Sequence, residues 1–426
     1  MTTLNLHRAP FSIDERIAIV SHSHPSISKG GAEIAAYALF LGLRARGSDV
    51  IFVGCCPIGS RAQLELLEGE FAVFFDPGDY DHFFHLAAGS SSDQLNDILA
   101  REGVTLVNFH HYFNFGIGAL REVAAHLKTV FTIHEFLAIC HHHGQMITRP
   151  SHLLCERATP RACMTCFPEK TRQQFALRRR HFLDALSEVD AFVAPSHFLA
   201  ARYVEWGLPQ ARMHVIENGL LRRSEMPSDP PRGHDHIWTF GFFGQINPFK
   251  GLSIILSACE LIAARPELAR RLRLRIHGNL VGQSGSFTEQ FEAVLKKYRF
   301  LEYVGPYDNN SVMRLMMECD YIVVPSIWWE NSPMVIQESY AARRPVICTG
   351  IGGMAEKVTD GVSGFHFRLG DPSSLTSTLE KAASAGVFSG LLAGVPKVLT
   401  SEDMASAYGE IFDVIEPANL RGARFY

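Results

Sequence analysis

Two glutamates eight positions apart, Glu330 and Glu338, frame the stretch ENSPMVIQESYAARRPVI at 330–347. Between them Ser332 and Pro333 form a good N-cap and first-turn pair, because proline's missing N–H costs nothing at that position, so a helix is predicted to start there. The free backbone N–H groups at Met334 and Val335, together with the positive end of the helix dipole, make an anion site suited to a phosphate. At about 1.5 Å per residue, Glu338 lies about 7 to 8 Å along the axis from Pro333, and its side chain leans back toward the N-terminus. Its carboxylate can then accept hydrogen bonds from a diol. Glu330, in the loop before the helix, reaches whatever is attached beyond the phosphate, which gives one glutamate for a ribose and one for a sugar.

The elements that must position these groups are legible on either side. YIVVPS (321–326) and RPVICTG (344–350) are short apolar runs of the kind that form buried parallel strands. The stretch is therefore the crossover of a βαβ unit, with its helix start at the carboxyl end of a strand, where open α/β sheets bind ligands. WTFGFFGQINPFKG repeats the strand and glycine-loop pattern, with Gly244, Gln245 and Lys250 in the loop. A lysine beside a helix start can neutralise a diphosphate leaving group.

Near the N-terminus RIAIVSH (16–22) is followed by SKGGAEI, where Gly30 and Gly31 let a ligand approach the backbone and Glu33 suits a first helical turn. This is not the G-x-G-x-x-G dinucleotide fingerprint, which argues against a nicotinamide enzyme. VTLVNFHH (104–111) and TVFTIHEF (129–136) place His110 and His134 at the carboxyl ends of strands; for His110 a structural hydrogen-bonding role is the expectation.

These motifs, with PS just upstream of Glu330 and GIGGMAEKVTDGVSGFHF downstream, closely resemble the retaining GT-B glycosyltransferases of family 4. The resemblance covers nearly the whole chain and is strongest from 237 to 380. It implies an α/β protein with the GT-B fold, two Rossmann-like doubly wound domains facing a cleft, and a nucleoside diphosphate sugar as donor. Glu330, His134 and Lys250 are the catalytic set it implies. Gly30, Gly31, Gly244, Gln245, Lys250, Ser332, Pro333, Met334, Val335 and Glu338 are the donor-binding set. TIHE matches the family's T-x-H-[DE], so His134 is expected to hold a hydroxyl of the transferred sugar rather than act as the base. Family members usually carry arginine where this chain has Gln245, so one cation of the usual pair is missing. No D-x-D metal motif is evident, and transfer is expected to need no metal and no organic cofactor.

Cys140, Cys155, Cys163 and Cys166 fall in a segment with little apolar periodicity, CHHHGQMITRPSHLLCERATPRACMTCF. Four thiolates holding a structural zinc would order such a loop, although His141, His142, His143 and His152 compete as ligands. The segment can also shape an acceptor pocket. The run Arg178, Arg179 and Arg180 reads as a solvated helix face, able to meet an anionic surface or an acceptor phosphate.

The chain has 426 residues, of which 47% are apolar and 20% charged, with a net charge of −4. Its length suits two domains and its charge excludes bulk nucleic-acid binding. The expected division is an N-terminal acceptor-side domain at 1–220 containing the Cys-rich loop, a linker at 221–236 and a nucleotide-sugar domain at 237–400. A C-terminal helix in 401–426 would cross back to the first domain. DGVSGFHF reads as a short hairpin-like finish, and Gly352 and Gly353 as a flexible turn. No signal peptide or membrane span is indicated, and nine cysteines without disulfide-scaffold character fit a reducing cytoplasm, with peripheral contact at the inner face of the membrane allowed. Two functions compete: a retaining glycosyltransferase acting on a glycan or lipid-linked acceptor, and a non-catalytic nucleotide-sugar binder whose site has decayed at Gln245.

Overall fold

The structure is a computed structural model that describes residues 15–28, 30–87, 89–149, 151–221 and 235–415; the linker expected at 221–236 lies, except for its ends, outside them. The chain divides into two compact units, the second running from after residue 222 to Val398 and the first taking the rest, including the C-terminal helix Ser401–Val414.

The first unit is built on nine strands: β1 (Ile17–Ser21), β2 (Val50–Pro57), β3 (Glu70–Phe75), β4 (Tyr80–Asp81), β5 (Leu86–Ala87), β6 (Leu106–Phe109), β7 (Lys128–Thr132), β8 (Ala191–Ala194) and β9 (Met213–Val215). Seven of them form a parallel sheet in the order β3-β2-β1-β6-β7-β8-β9, while β4 and β5 make a small antiparallel ribbon. All five residues of β1 are buried, and Ile17 pairs with Val50 on one side and Leu106 on the other. The order reverses between β1 and β6, which is the topological switch point where such sheets bind ligands.

The C-terminal helix belongs to this core. Its Met404, Ala405, Tyr408, Ile411 and Phe412 pack with Ile17, Phe40, Leu43 and Val130. Thr400 caps it in a reciprocal capping box with Asp403. Gly42 on the Gly31–Ala45 helix allows the approach, since a Cβ there would overlap the Ser401 carbonyl. Tyr408 Oη and Thr132 Oγ1 complete the contact at 3.0 Å.

The second unit carries β10 (Trp238–Phe243), β11 (Leu272–His277), β12 (Leu301–Gly305), β13 (Tyr321–Val324), β14 (Val346–Thr349) and β15 (Gly364–Phe367). They form a parallel sheet in the order β12-β11-β10-β13-β14-β15, reversing between β10 and β13. Side chains alternate across it as a pleat requires: Tyr321 and Val323 join one core cluster with Trp238 and Phe240, whereas Ile322 and Val324 join a second with Phe243, Ile336 and Met354. The DGVSGFHF segment is not a hairpin. Its GFHF is β15, paired in parallel with β14 from Val346↔Gly364 to Thr349↔Phe367, because Gly364 can lie against the Val346 carbonyl where a Cβ would overlap it.

The arginine run also departs from expectation. Arg179 and Arg180 are exposed as expected, Arg180 beside Asp184 at 3.4 Å, and it is Arg178 that departs. Arg179 donates to the Trp206 carbonyl at 2.7 Å. Arg178 is 3% exposed and donates to the carbonyls of Phe83, Ala138 and Leu137 at 2.8, 2.6 and 2.8 Å. It occupies the buried stripe Phe175, Arg178, Phe182 of the Arg172–Leu186 helix, and its guanidinium lies 4.5 Å from the centre of the Phe182 ring. One cation thus ties the β4–β5 ribbon and the start of the Cys-rich segment to a helix. Arg178→Ala, which leaves three buried carbonyls unpaired, is expected to destabilise the first unit by about 3 kcal/mol in urea unfolding, against less than about 0.5 kcal/mol for Arg180→Ala; equal effects would show that the three bonds contribute little.

Candidate active site

In the second unit the carboxyl ends of β10 and β13 bring the predicted groups together. Glu330 is buried, and its Oε1 accepts from Lys250 Nζ at 2.6 Å, Ser326 Oγ at 2.8 Å and Trp328 Nε1 at 2.8 Å. Burial alone would raise this carboxyl, but the Lys250 charge and the three hydrogen bonds outweigh it and hold the group below the ordinary glutamate value. Lys250 also lies 5.4 Å from the centre of the Trp328 ring, which stacks on Phe249 at 5.5 Å.

Backbone contacts lock the two loops. Ile327 N–H donates to the Phe249 carbonyl at 2.9 Å, and Gly251, with φ at +73°, lies where a Cβ would overlap the Pro325 carbonyl. Gly353 is not part of a flexible turn: its N–H donates to the Glu330 carbonyl at 2.8 Å in the short Gly352–Lys357 helix, and its missing Cβ makes room for the Asn331 carbonyl.

The next helix is shifted. It runs from Met334 to Ala341, with Pro333 in the N-cap position in an extended conformation, one residue later than expected. The loop from Glu330 is tethered by Gly353, and the first helical residue is Met334 where Pro333 was expected. The first helical N–H groups, those of Met334 and Val335, still open at the carboxyl end of β13 without intrahelical partners. Glu338 follows one turn on. Burial, with no cation beside it, pushes its carboxyl up to about 7, and its charge is felt at the Tyr307 hydroxyl. Gly244, with φ at +137°, donates its N–H to the His277 carbonyl at 3.1 Å, and the Gln245 side chain next to it is exposed.

In the first unit Gly30 is the extended N-cap of the Gly31–Ala45 helix, and both glycines are exposed. Glu33 curls back over this helix start: its Oε1 accepts from Ser28 Oγ at 2.5 Å, and its Oε2 lies 2.5 Å from where a Gly30 Cβ would be. At the ends of β6 and β7, His110 Nδ1 and His134 Nε2 are 2.9 Å apart with the rings stacked. Burial first, then neighbouring histidines, lowers both pKa values, His110 to about 3, so both rings are neutral at neutral pH. His110 is buried and acts on His134, which agrees with a structural role.

The zinc expectation finds no support. Cys140, Cys155, Cys163 and Cys166 form no disulfide, and no group of three or more His, Cys, Asp or Glu that could hold a metal ion occurs among the described residues. Cys163 and Cys166 pack instead on the Phe83, Phe167 and Phe175 cluster, and the Arg149 N–H donates to Cys166 Sγ at 3.0 Å. The staple of this segment is aromatic packing plus Arg178. Sequence reasoning also missed the roles of Ser326 and Trp328, although both lie between β13 and Glu330, within four residues of the carboxylate they hold, and it misread Gly353 as a flexible turn.

Among the described residues no helix is long and apolar enough to cross a membrane. The family model described as Glycosyl transferases group 1 matches residues 238–384, and that described as Glycosyltransferase Family 4 matches 29–220, which together take in most of the chain. A D-inositol 3-phosphate glycosyltransferase of Stackebrandtia nassauensis is 28% identical over 188 residues, 41% of this chain and 42% of that protein, so the chain spans less than half of that relative. A protein of the same description from Corynebacterium diphtheriae is 23% identical over 398 residues, 86% of each chain. Anabaena HepE in complex with UDP superimposes with a TM-score of 0.67 at 16% identity, covering 94% of this chain and 100% of that one, which shows the GT-B fold. With the Glu330 to Glu338 unit at the switch point of one sheet, and the glycine turn after β1 and His134 after β7 in the other, the chain belongs to glycosyltransferase family 4.

Proposed function

We propose that the protein is a retaining glycosyltransferase that moves a sugar from a nucleoside diphosphate sugar to a glycan or lipid-linked acceptor without a catalytic metal. The observation that carries this reading is the buried Glu330 carboxylate held by Lys250, Ser326 and Trp328 at the start of the Met334–Ala341 helix. The helix N–H groups of Met334 and Val335 receive the diphosphate, Lys250 balances the charge that develops on the leaving group, and Gly244 and Gln245 line its approach. Glu330 stays ionised and faces the transferred sugar, where positive charge grows. Glu338 accepts from the ribose diol. His134, neutral and oriented by His110, is assigned to a sugar hydroxyl, and Gly30 and Gly31 to the diphosphate, as the family resemblance implies. The four cysteines are assigned no metal in this reading. Uridine diphosphate sugars are the first donors to test, since HepE is seen with UDP. A thermal-shift screen of nucleotide sugars tests the whole reading, because a ligand that binds only the folded state raises the melting temperature; no shift with any donor would overturn it.

Binding and turnover should separate at the two glutamates. Glu338→Ala is expected to weaken donor binding by about 1.5 to 3 kcal/mol, the scale of a hydrogen bond to a charged group, while Glu330→Ala chiefly lowers turnover. Calorimetry with unchanged affinity for the Glu338 variant would remove the ribose assignment. Gln245→Arg restores a charge and should tighten nucleoside diphosphate binding by about 1 kcal/mol, with Lys250→Ala weakening it by more. Weaker binding by the arginine variant together with a harmless Lys250→Ala would remove this loop from the diphosphate site.

Glu338 also sets a pH dependence of definite sign. Its folded pKa of about 7 lies above the ordinary 4.5, so its contribution to stability is full at pH below the unfolded value and is lost as pH rises through 7. Without ligand, Glu338→Gln should be more stable than wild type above pH 7, by about 1 to 3 kcal/mol, with the difference vanishing toward pH 4. A ribose diol favours the ionised carboxylate, so donor binding should expel a proton near pH 7 and weaken as pH falls below it. Titration calorimetry in buffers of different ionisation enthalpy reads that proton, and its persistence in Glu338→Gln would assign it elsewhere.

A further inference from the structure

The first unit contains a cavity of about 320 Å³ whose walls include His82, His141, His143, Arg149, Phe113 and Phe167. It lies between the β4–β5 ribbon, the chain after β6 and the Cys-rich segment, none of which the donor site uses. Three features set it apart.

The first is stored strain. Of six non-glycine residues with left-handed φ among the described residues, five (His85, Asn114, His143, Met146 and His152) belong to these wall segments, with φ between +47° and +73°. Such conformations cost on the order of 1 kcal/mol or more each and persist where the surroundings impose them, most often at binding sites.

The second is charge. No carboxylate lines the cavity. Burial first, then the charges of Arg178 and Lys170 and the neighbouring His143, lowers His141 to about 4, with only Glu169 opposing. Arg178 is bonded to backbone carbonyls and not to an acid, so its charge remains uncompensated.

The third is available donors. His141 Nδ1 is buried with no hydrogen-bond partner. Arg149 pairs with Glu169 at 3.2 Å, but both side chains are about half exposed, and such a surface pair is weak enough to give way to a ligand. A guanidinium together with imidazoles from the same segment suits a phosphoryl group, whereas a planar carboxylate is satisfied by one guanidinium. Phe113 and Phe167 give apolar walls for what the anion carries.

The cavity adjoins the His134 end of the sheet. The Phe113 N–H donates to His111 Nδ1 at 2.9 Å, and His111 Nε2 bonds Glu135 at 2.7 Å, the residue after His134.

We propose that this cavity is an acceptor subsite that binds the phosphoryl group of a phosphorylated acceptor, through Arg149, His141 and His143. The proposal rests on the glycosyl-transfer reading for the word acceptor, whereas the anion site itself rests on the first unit alone.

The test is titration calorimetry on the full chain saturated with uridine diphosphate, which keeps phosphate out of the donor site. Glucose 6-phosphate represents a soluble acceptor, phosphatidylcholine vesicles carrying a prenyl phosphate represent a lipid-linked one, and glucose and plain vesicles are the neutral controls. At least one phosphorylated probe should bind while its neutral control does not, and the one that binds identifies the source. Arg149→Gln and His141→Phe should each weaken binding tenfold or more. His141→Phe keeps an aromatic ring among Phe83, Phe167 and Phe175, and His143→Asn, which tolerates left-handed φ, serves as the third variant. Binding of no phosphorylated probe, equal binding of the neutral controls, or binding unchanged in all three variants would overturn the subsite. If uridine diphosphate itself does not bind, the donor reading fails, and the same titration without it still decides the cavity by its dependence on Arg149.

Discussion

A carboxylate cannot be buried at the end of a strand unless something there compensates its charge, and in this protein that requirement organises the second unit. Glu330 meets it with Lys250 from the loop after β10 and with Ser326 and Trp328 from its own loop. Because the cation and the acid come from opposite sides of the switch point, their pairing fixes the two loops that bracket the site. Gly251 and Gly353 are the backbone counterparts of that pairing, each lying where a side chain would push a loop away from Glu330. A change at either glycine would therefore act on the chemistry through geometry and not through contact with a ligand.

The first unit solves a different problem. Its switch point carries histidines, and burial keeps His110 and His134 neutral, so they offer oriented hydrogen bonds without charge. His110 fixes one ring nitrogen of His134 and so fixes what the other can do. A sugar hydroxyl is recognised by such a neutral donor or acceptor, whereas the diphosphate needs the cation and the helix N–H groups of the second unit.

The βαβ units, the two parallel sheets and the glutamate pair were legible in the sequence because each is local: an apolar run, a glycine turn, a helix start. What escaped it depends on contacts between distant segments. Arg178 looked like part of a solvated run, yet it stands in register with Phe175 and Phe182, and only the fold reveals the carbonyls of Phe83, Leu137 and Ala138 waiting for it. The cysteines suggested a metal because a loop without periodicity needs a staple; the staple is an arginine and three phenylalanines, two of which lie outside that loop. The helix start moved by one residue, from Pro333 to Met334, in a loop tethered by Gly353, more than twenty residues on. DGVSGFHF became a parallel edge strand because β14 offered it a partner that the segment itself does not announce.

The same charge balance bears on Gln245. Lys250 is paired with Glu330, so in the proposed reading this pair itself presents almost no net charge to a diphosphate. When the diphosphate draws Lys250 toward itself, Glu330 keeps two donors, Ser326 Oγ and Trp328 Nε1. Two hydrogen bonds to a charged group, at about 1.5 to 3 kcal/mol each, are of the size needed to keep that carboxylate ionised while the lysine is shared. In the proposed reading Lys250 can therefore turn to the leaving group while Glu330 stays ionised for the sugar. On that reading a neutral glutamine beside Gly244 weakens the grip on the diphosphate but leaves the Lys250–Glu330 pairing intact.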